Sequence, residues 1–162
     1  MKKFLAITGL LLLSGCGHGA GDTMSQTLPT TTIKLESPEG NKIAVVAEVA
    51  DELPEQERGL MFRTHLAAGH GMLFAYPTEQ QMTYWMKNTL IPLDIIFFDR
   101  HGVYVSSTSM IPCTQDPCVL YPAASPAQYA LELPAGFLAR VRAGPGWLLE
   151  GMQPGKVREN TP

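Results

Sequence analysis

The spacing of the apolar runs limits most strongly how this chain can fold. KIAVVAEVA (42–50), GMLFAY (71–76), MTYWMKN (82–88), LDIIFFD (93–99), VYVSSTSM (103–110), QYALEL (128–133) and GWLLEG (146–151) follow one another, each bounded by Gly, Pro, Asn or Asp. Runs of this length and punctuation are strand-sized. Long helices do not alternate with them, which disfavours a doubly wound parallel sheet. The spacing predicts a mainly β domain, an antiparallel β-sandwich or barrel carrying two short helices.

The two helices are expected where the pattern changes. In DELPEQERGLMFR (51–63), Pro54 suits a first helical turn, Glu55 and Glu57 suit its positive end, and Gly59 can stop it. The position before Pro54 is Leu53, where a small hydroxyl cap is usual, so this helix start is weakly marked. PAGFLARVRAG (134–144) opens with Pro and closes with Gly, and Phe137, Leu138 and Val141 fall at helical spacing.

The first residues bear on the compartment. MKKFLAITGLLLLSGC has two lysines, an apolar stretch from Phe4 to Leu13, and small residues before Cys16. This is a signal-peptide pattern, and the stretch is shorter than the ~20 residues needed to span a bilayer. Leu13-Ser14-Gly15-Cys16 resembles the lipobox of bacterial lipoproteins. The resemblance implies a signal peptide over 1–15, lipidation of Cys16 and membrane anchoring through several acyl chains. Gly17 rather than Asp after the cysteine resembles the signal for the outer membrane, with the domain facing the periplasm. Residues 16–32 then read as the lipidated Cys and a flexible tether, and 33–158 as a single domain. The formal net charge is -3 without a Lys/Arg cluster, which argues against nucleic acid as a partner. No repeat is visible. A monomer without cofactor is expected.

QMTYWMKNTLIPLDIIFFDRHG (81–102) places Lys87, Asn88 and Asp94 inside apolar runs. If TYWMKN and LDIIFF form a hairpin through Thr89 to Pro92, Lys87 faces Asp94 and shares a strand face with Trp85 and Ile96. Two readings stand at this stage. Lys87 and Asp94 form a structural ion pair with Asn88 bonding the turn, or they line with Trp85 a polar recess for a small ligand. A neighbouring rim of Arg58, Arg63, Asn88 and the CTQDPC loop would favour an anionic ligand.

ERGLMFR (57–63), GMLF (71–74), WMKNTLIPLDIIFFD (85–99), the cysteines after Pro112 and ALELPAG (130–136) together resemble the family called domain of unknown function 192. The likeness covers nearly the whole expected domain. It implies a compact, jelly-roll-like β fold, often exported and often lipidated, and it implies no activity.

Cys113 and Cys118 are the cysteines left after the lipidated one, and in an oxidising compartment they are expected to form a disulfide. Closing so short a loop stabilises by roughly 2 kcal/mol on chain entropy. His65, His70, Met61, Met72, Met82 and Met86 offer soft-metal ligand types, but methionines in apolar runs ordinarily fill cores, and no metal is expected. Ser106, Ser107 and Ser109 lack the Gly-x-Ser-x-Gly setting of a hydrolase elbow. Three roles remain open. A tethered module could bind a small polar envelope ligand through Trp85, Lys87, Asn88 and Asp94; a structural or interaction lipoprotein would need no pocket; a hydrolase would use Asp94 or Glu132 as base.

Overall fold

The structure is a computed structural model that describes residues 28–150 and 152. The expected signal peptide, Cys16 and the tether as far as residue 27 lie outside the described residues. The described residues form nine strands and two helices in chain order: β1 (Thr30–Glu36), β2 (Lys42–Ala50), α1 (Leu53–Arg58), β3 (His70–Gln80), β4 (Thr83–Trp85), β5 (Leu93–Phe98), β6 (Tyr104–Met110), β7 (Leu120–Pro122), β8 (Ala127–Pro134), α2 (Phe137–Val141) and β9 (Leu148–Glu150). The protein is mainly β, and both helices lie where the Pro and Gly punctuation put them. At α1 the missing hydroxyl cap is replaced by Glu55, whose carboxylate accepts the Asp51 and Glu52 N–H groups at 3.2 Å each. β1 begins inside the segment expected as tether, because Thr30 to Glu36 pair along β2 from Thr30↔Glu48 to Glu36↔Lys42.

Seven strands form one sheet in the order β6-β5-β8-β3-β2-β1-β9, and β4 and β7 form a separate pair. The sheet curls until its two ends touch. Val103 bridges Leu148, the Tyr104 N–H donates to Trp147 O at 3.0 Å, and the Leu149 N–H donates to Gly102 O at 2.7 Å. Closing a sheet in this way removes its open edges. Gly102 makes the seam: its φ is +76°, and a Cβ there would lie 2.3 Å from Leu149 O.

Alternation along the walls divides the apolar residues between two cores. Ile33, Leu35, Val45, Leu73, Ile96, Phe98, Tyr129 and Leu131 fill the barrel interior, which Phe137 of α2 and Trp147 help close. Met72, Phe74, Leu93, Ile95 and Phe97 face outward and are buried with Leu60, Met82 and Met86 in a second core. Tyr84 of β4 packs edge-on to Phe74 at 5.1 Å and lies 5.7 Å from Phe97. β5 is therefore buried on both faces along its whole length. A strand of that kind shows no alternation in sequence.

The expected hairpin does not form. β4 pairs with β7, Trp85 opposite Leu120, while β5 pairs with β6 on one side and β8 on the other. The reason is the two-sided burial of β5, which needs a partner on each edge within the barrel wall. β4 belongs to the layer outside that wall. Between them the chain turns at Asn88, whose φ is +59°, with the Thr89 N–H donating to Met86 O at 3.2 Å. The Lys87–Asp94 pair falls with the hairpin. Lys87 Nζ instead lies 3.1 Å from Asp116 in the disulfide loop and 5.7 Å from the Trp85 ring centroid. Asp94 is wholly buried, accepting the Ser109 hydroxyl at 2.6 Å and the Leu138 N–H at 2.9 Å, and so fastens the first turn of α2 to the barrel.

Candidate functional site

Among the described strands, β2 and β3 are the one parallel pair in the sheet. Parallel neighbours cannot be joined by a tight turn, so the chain must cross over. Residues 51–69 make that crossover on the outer face, with α1 first and an irregular segment after it. Val46 and Glu48 of β2 point to this side, as does His70 of β3, leaving a cleft of about 760 Å³ between the sheet and the crossover. That volume is within the range of small-molecule sites.

Arg58 from the end of α1 and Arg63 from the segment after it both line the cleft. Gly59 stops the helix between them with a φ of +46°, and its missing Cβ gives Phe74 room, since a Cβ would lie 3.2 Å from that ring. The two arginines differ in state. Arg63 is held by Glu48 at 2.6 Å, whereas Arg58 makes no ion pair among the described residues. His65 and His70 add two more nitrogen ligands or donors, and both are exposed. The second acid of the cleft, Glu55, is committed to the backbone at the start of α1. Leu28, Val46, Phe62 and Leu66 supply apolar wall.

Asn88 stands beside the cleft and does not line it. Its carbonyl accepts the Phe62 N–H at 2.8 Å, and its side-chain amide lies 3.9 Å from Met61 Sδ, so it braces the turn that carries Met61 and Phe62. Trp85 and Lys87 lie elsewhere, next to the disulfide loop. Trp85 is 49% exposed, and with Ile111, Val119 and Leu120 it is among the large apolar side chains left open to solvent. A recess of about 160 Å³ there is bordered by Met86, Ile111, Cys113, Val119 and Tyr121. The Cys113–Cys118 disulfide is formed, with an S–S distance of 2.04 Å. Of the six expected ligand-binding residues, the structure brings Arg58 and Arg63 together with Asn88 as a brace, sets Trp85 with Lys87 apart, and buries Asp94.

Neither carboxylate considered for hydrolysis is placed as a base. Asp94 is wholly buried, and each of its carboxylate oxygens accepts one of the bonds given above. Glu132 of β8 is 5% exposed, between Met72 and Ile95 on the neighbouring strands, and makes no ion pair or hydrogen bond with the described residues. Burial pushes its carboxyl up to about 8. The soft-metal set is dispersed as well: Met72, Met82 and Met86 are in the outer core, while His65, His70 and Met61 line the cleft. Cys113, Asp116 and Cys118 lie close enough to share an ion, but the disulfide occupies both sulfurs.

Phe62 is the cleft residue that the sequence concealed. Leu60-Met61-Phe62 reads as one apolar run destined for the core, and Leu60 does enter it. Phe62 has a φ of +63° and is 62% exposed. Only the Gly just upstream hinted at irregular backbone here.

Comparison with known proteins agrees with this architecture. The family profile of DUF192, described as an uncharacterized ACR, matches residues 35–150. A protein of unknown function from Novosphingobium aromaticivorans DSM 12444 superposes with a TM-score of 0.72 at 32% identity, covering 79% of this chain and 89% of that one. A proposed transcription regulator from Sinorhizobium meliloti 1021 gives a TM-score of 0.72 at 31% identity, covering 77% of this chain and 95% of that one. No curated protein matches the chain.

Proposed function

Because the chain belongs to the DUF192 family, for which no activity is established, its role must be read from its own cleft, and we propose that it is a binding module for a small anion, tethered in the bacterial envelope. The observation that carries this reading is Arg58. Its guanidinium has no ion-pair partner among the described residues and stands at the edge of a cleft with apolar walls, while the neighbouring Arg63 is paired with Glu48. A planar, permanently charged fork in that position suits a carboxylate or phosphate.

A thermal-shift series of small carboxylates and phosphates against the purified full chain tests the reading. Wild type should be stabilised by at least one of them, and Arg58→Ala should remove that stabilisation while leaving the unliganded melting temperature nearly unchanged, since Arg58 is exposed and makes no ion pair. Stabilisation that survives Arg58→Ala would place the anion elsewhere.

The tether belongs to the same proposal. Among the described residues no helix is long and apolar enough to cross a membrane, and the expected attachment is the lipid on Cys16. Leu28, a cleft residue, follows Cys16 by 12 positions, so a lipid on that cysteine would hold the cleft within about 40 Å of the bilayer. Cys16→Ala should shift the protein from the detergent phase to the aqueous phase in phase partitioning. Retention in the detergent phase would count against lipidation at that cysteine.

A second reading is favoured by the other face. Trp85, Ile111, Val119 and Leu120 are each about half exposed or more around the disulfide loop, and clustered apolar groups of that kind mark protein contacts. Under this reading the protein is an interaction lipoprotein, and no small anion would stabilise it.

A further inference from the structure

The geometry of Phe62 points to the chemical class of the ligand: we propose that the cleft takes an amphipathic organic anion, with its acidic group on Arg58 and a flat apolar body against the Phe62 ring. The proposal rests on the anion-binding reading of the same cleft. What it adds is the second half of the ligand.

A bulky aromatic residue with a φ of +63° is held in the left-handed region, where the side chain crowds the backbone. Such a conformation persists only when something around it imposes it. Here Asn88, itself left-handed at +59°, accepts the Phe62 N–H at 2.8 Å and reaches Met61 Sδ at 3.9 Å. Folding gains little in return from the ring, which remains 62% exposed. Glycine would satisfy the same turn without strain. The cost is thus borne to place an aromatic face in the cleft, beside the apolar walls of Leu28, Val46 and Leu66.

The charges around the ring set the rest. Arg63 is paired with Glu48 at 2.6 Å and the Glu55 carboxylate is held by two backbone N–H groups, which leaves the Arg58 guanidinium as the cleft cation without a carboxylate partner among the described residues. One unpaired guanidinium fork matches one acidic group. An aromatic face beside a fixed cation is the arrangement that holds the apolar body and the head of one molecule at once.

Titration calorimetry on the full chain with 1-naphthoate, hexanoate and acetate tests this. We expect 1-naphthoate to bind wild type more tightly than hexanoate, and acetate to bind weakest. Arg58→Ala and Phe62→Gly should each weaken 1-naphthoate at least tenfold, and Phe62→Tyr should restore it. Chemical denaturation supplies the discriminating readout: Phe62→Gly should unfold at a midpoint equal to or above that of wild type, because it relieves the backbone while losing an exposed ring. If 1-naphthoate binding is lost in Arg58→Ala and kept in Phe62→Gly, the anion site stands and the aromatic platform is overturned. A lowered midpoint for Phe62→Gly overturns it too, by showing the ring to be structural. If none of the three anions binds wild type, both the platform and the anion-binding reading fall.

Discussion

Replacing Glu132 by Gln should abolish a steep loss of stability between about pH 5 and pH 8. Glu132 is buried between Met72 and Ile95 without a cation or hydrogen-bond donor among the described residues, and burial raises its carboxyl from the ordinary 4.5 to about 8. Below pH 4.5 the carboxyl is protonated in the folded and the unfolded chain alike, and its effect on stability is fully favourable there. As the pH rises, the unfolded chain releases the proton first while the folded protein retains it. The unfolded state then binds fewer protons, so stability falls by about 1.4 kcal/mol per pH unit through this window and levels off above the folded value. Over pH 5 to 8 the loss is on the order of 3 to 4 kcal/mol. Glu132→Gln cannot ionise, and should be the more stable protein at pH 8 while differing little at pH 5. All other ionisable groups are common to both proteins, so the difference between the two denaturation curves isolates Glu132. Parallel curves from pH 5 to 8 would mean that the carboxyl is already ionised in the folded state.

Asp94→Ala should cost about 2 to 4 kcal/mol, because Asp94 is wholly buried and its loss leaves the partly buried Leu138 N–H and the Ser109 hydroxyl without their acceptor and loosens α2 from the barrel. Lys87→Met should cost less than about 1 kcal/mol, since its partner is the exposed Asp116. The two losses should add in the double variant, because the residues share no partner. Urea denaturation of the four proteins measures this directly. A double variant that recovers stability lost in either single one would restore the Lys87–Asp94 contact and with it the hairpin that the structure replaces.

The elements themselves were legible because their signals are local. β2, β5, β6 and β8 fall within a residue or two of their apolar runs, and Pro54, Gly59 and the 134–144 segment mark both helices. Cys113 and Cys118 are close enough in sequence for their pairing to follow from their number and spacing. The arginine rim was legible in part, since Arg58 and Arg63 flank a helix stop. β1 and β7 were missed: the first begins in a run of threonines next to a polar segment, and the second is three residues long.

Pairing and direction were decided only by the tertiary structure. LDIIFF and TYWMKN look like consecutive strands of one hairpin, yet β5 sits in the barrel wall with neighbours on both edges and β4 lies outside it. An unbroken apolar run records that both faces are buried but not against which strands, so its sequence carries no register. The cleft exists because β2 and β3 run parallel, which forces residues 51–69 across the outer face. Phe62 faces that cleft because a left-handed turn, held by the Asn88 carbonyl 26 positions later in the chain, aims it there. Apolarity and local punctuation determined which segments became strands and helices; contacts between residues distant in sequence determined which of those residues meet, and which of the apparent core residues remain at the surface.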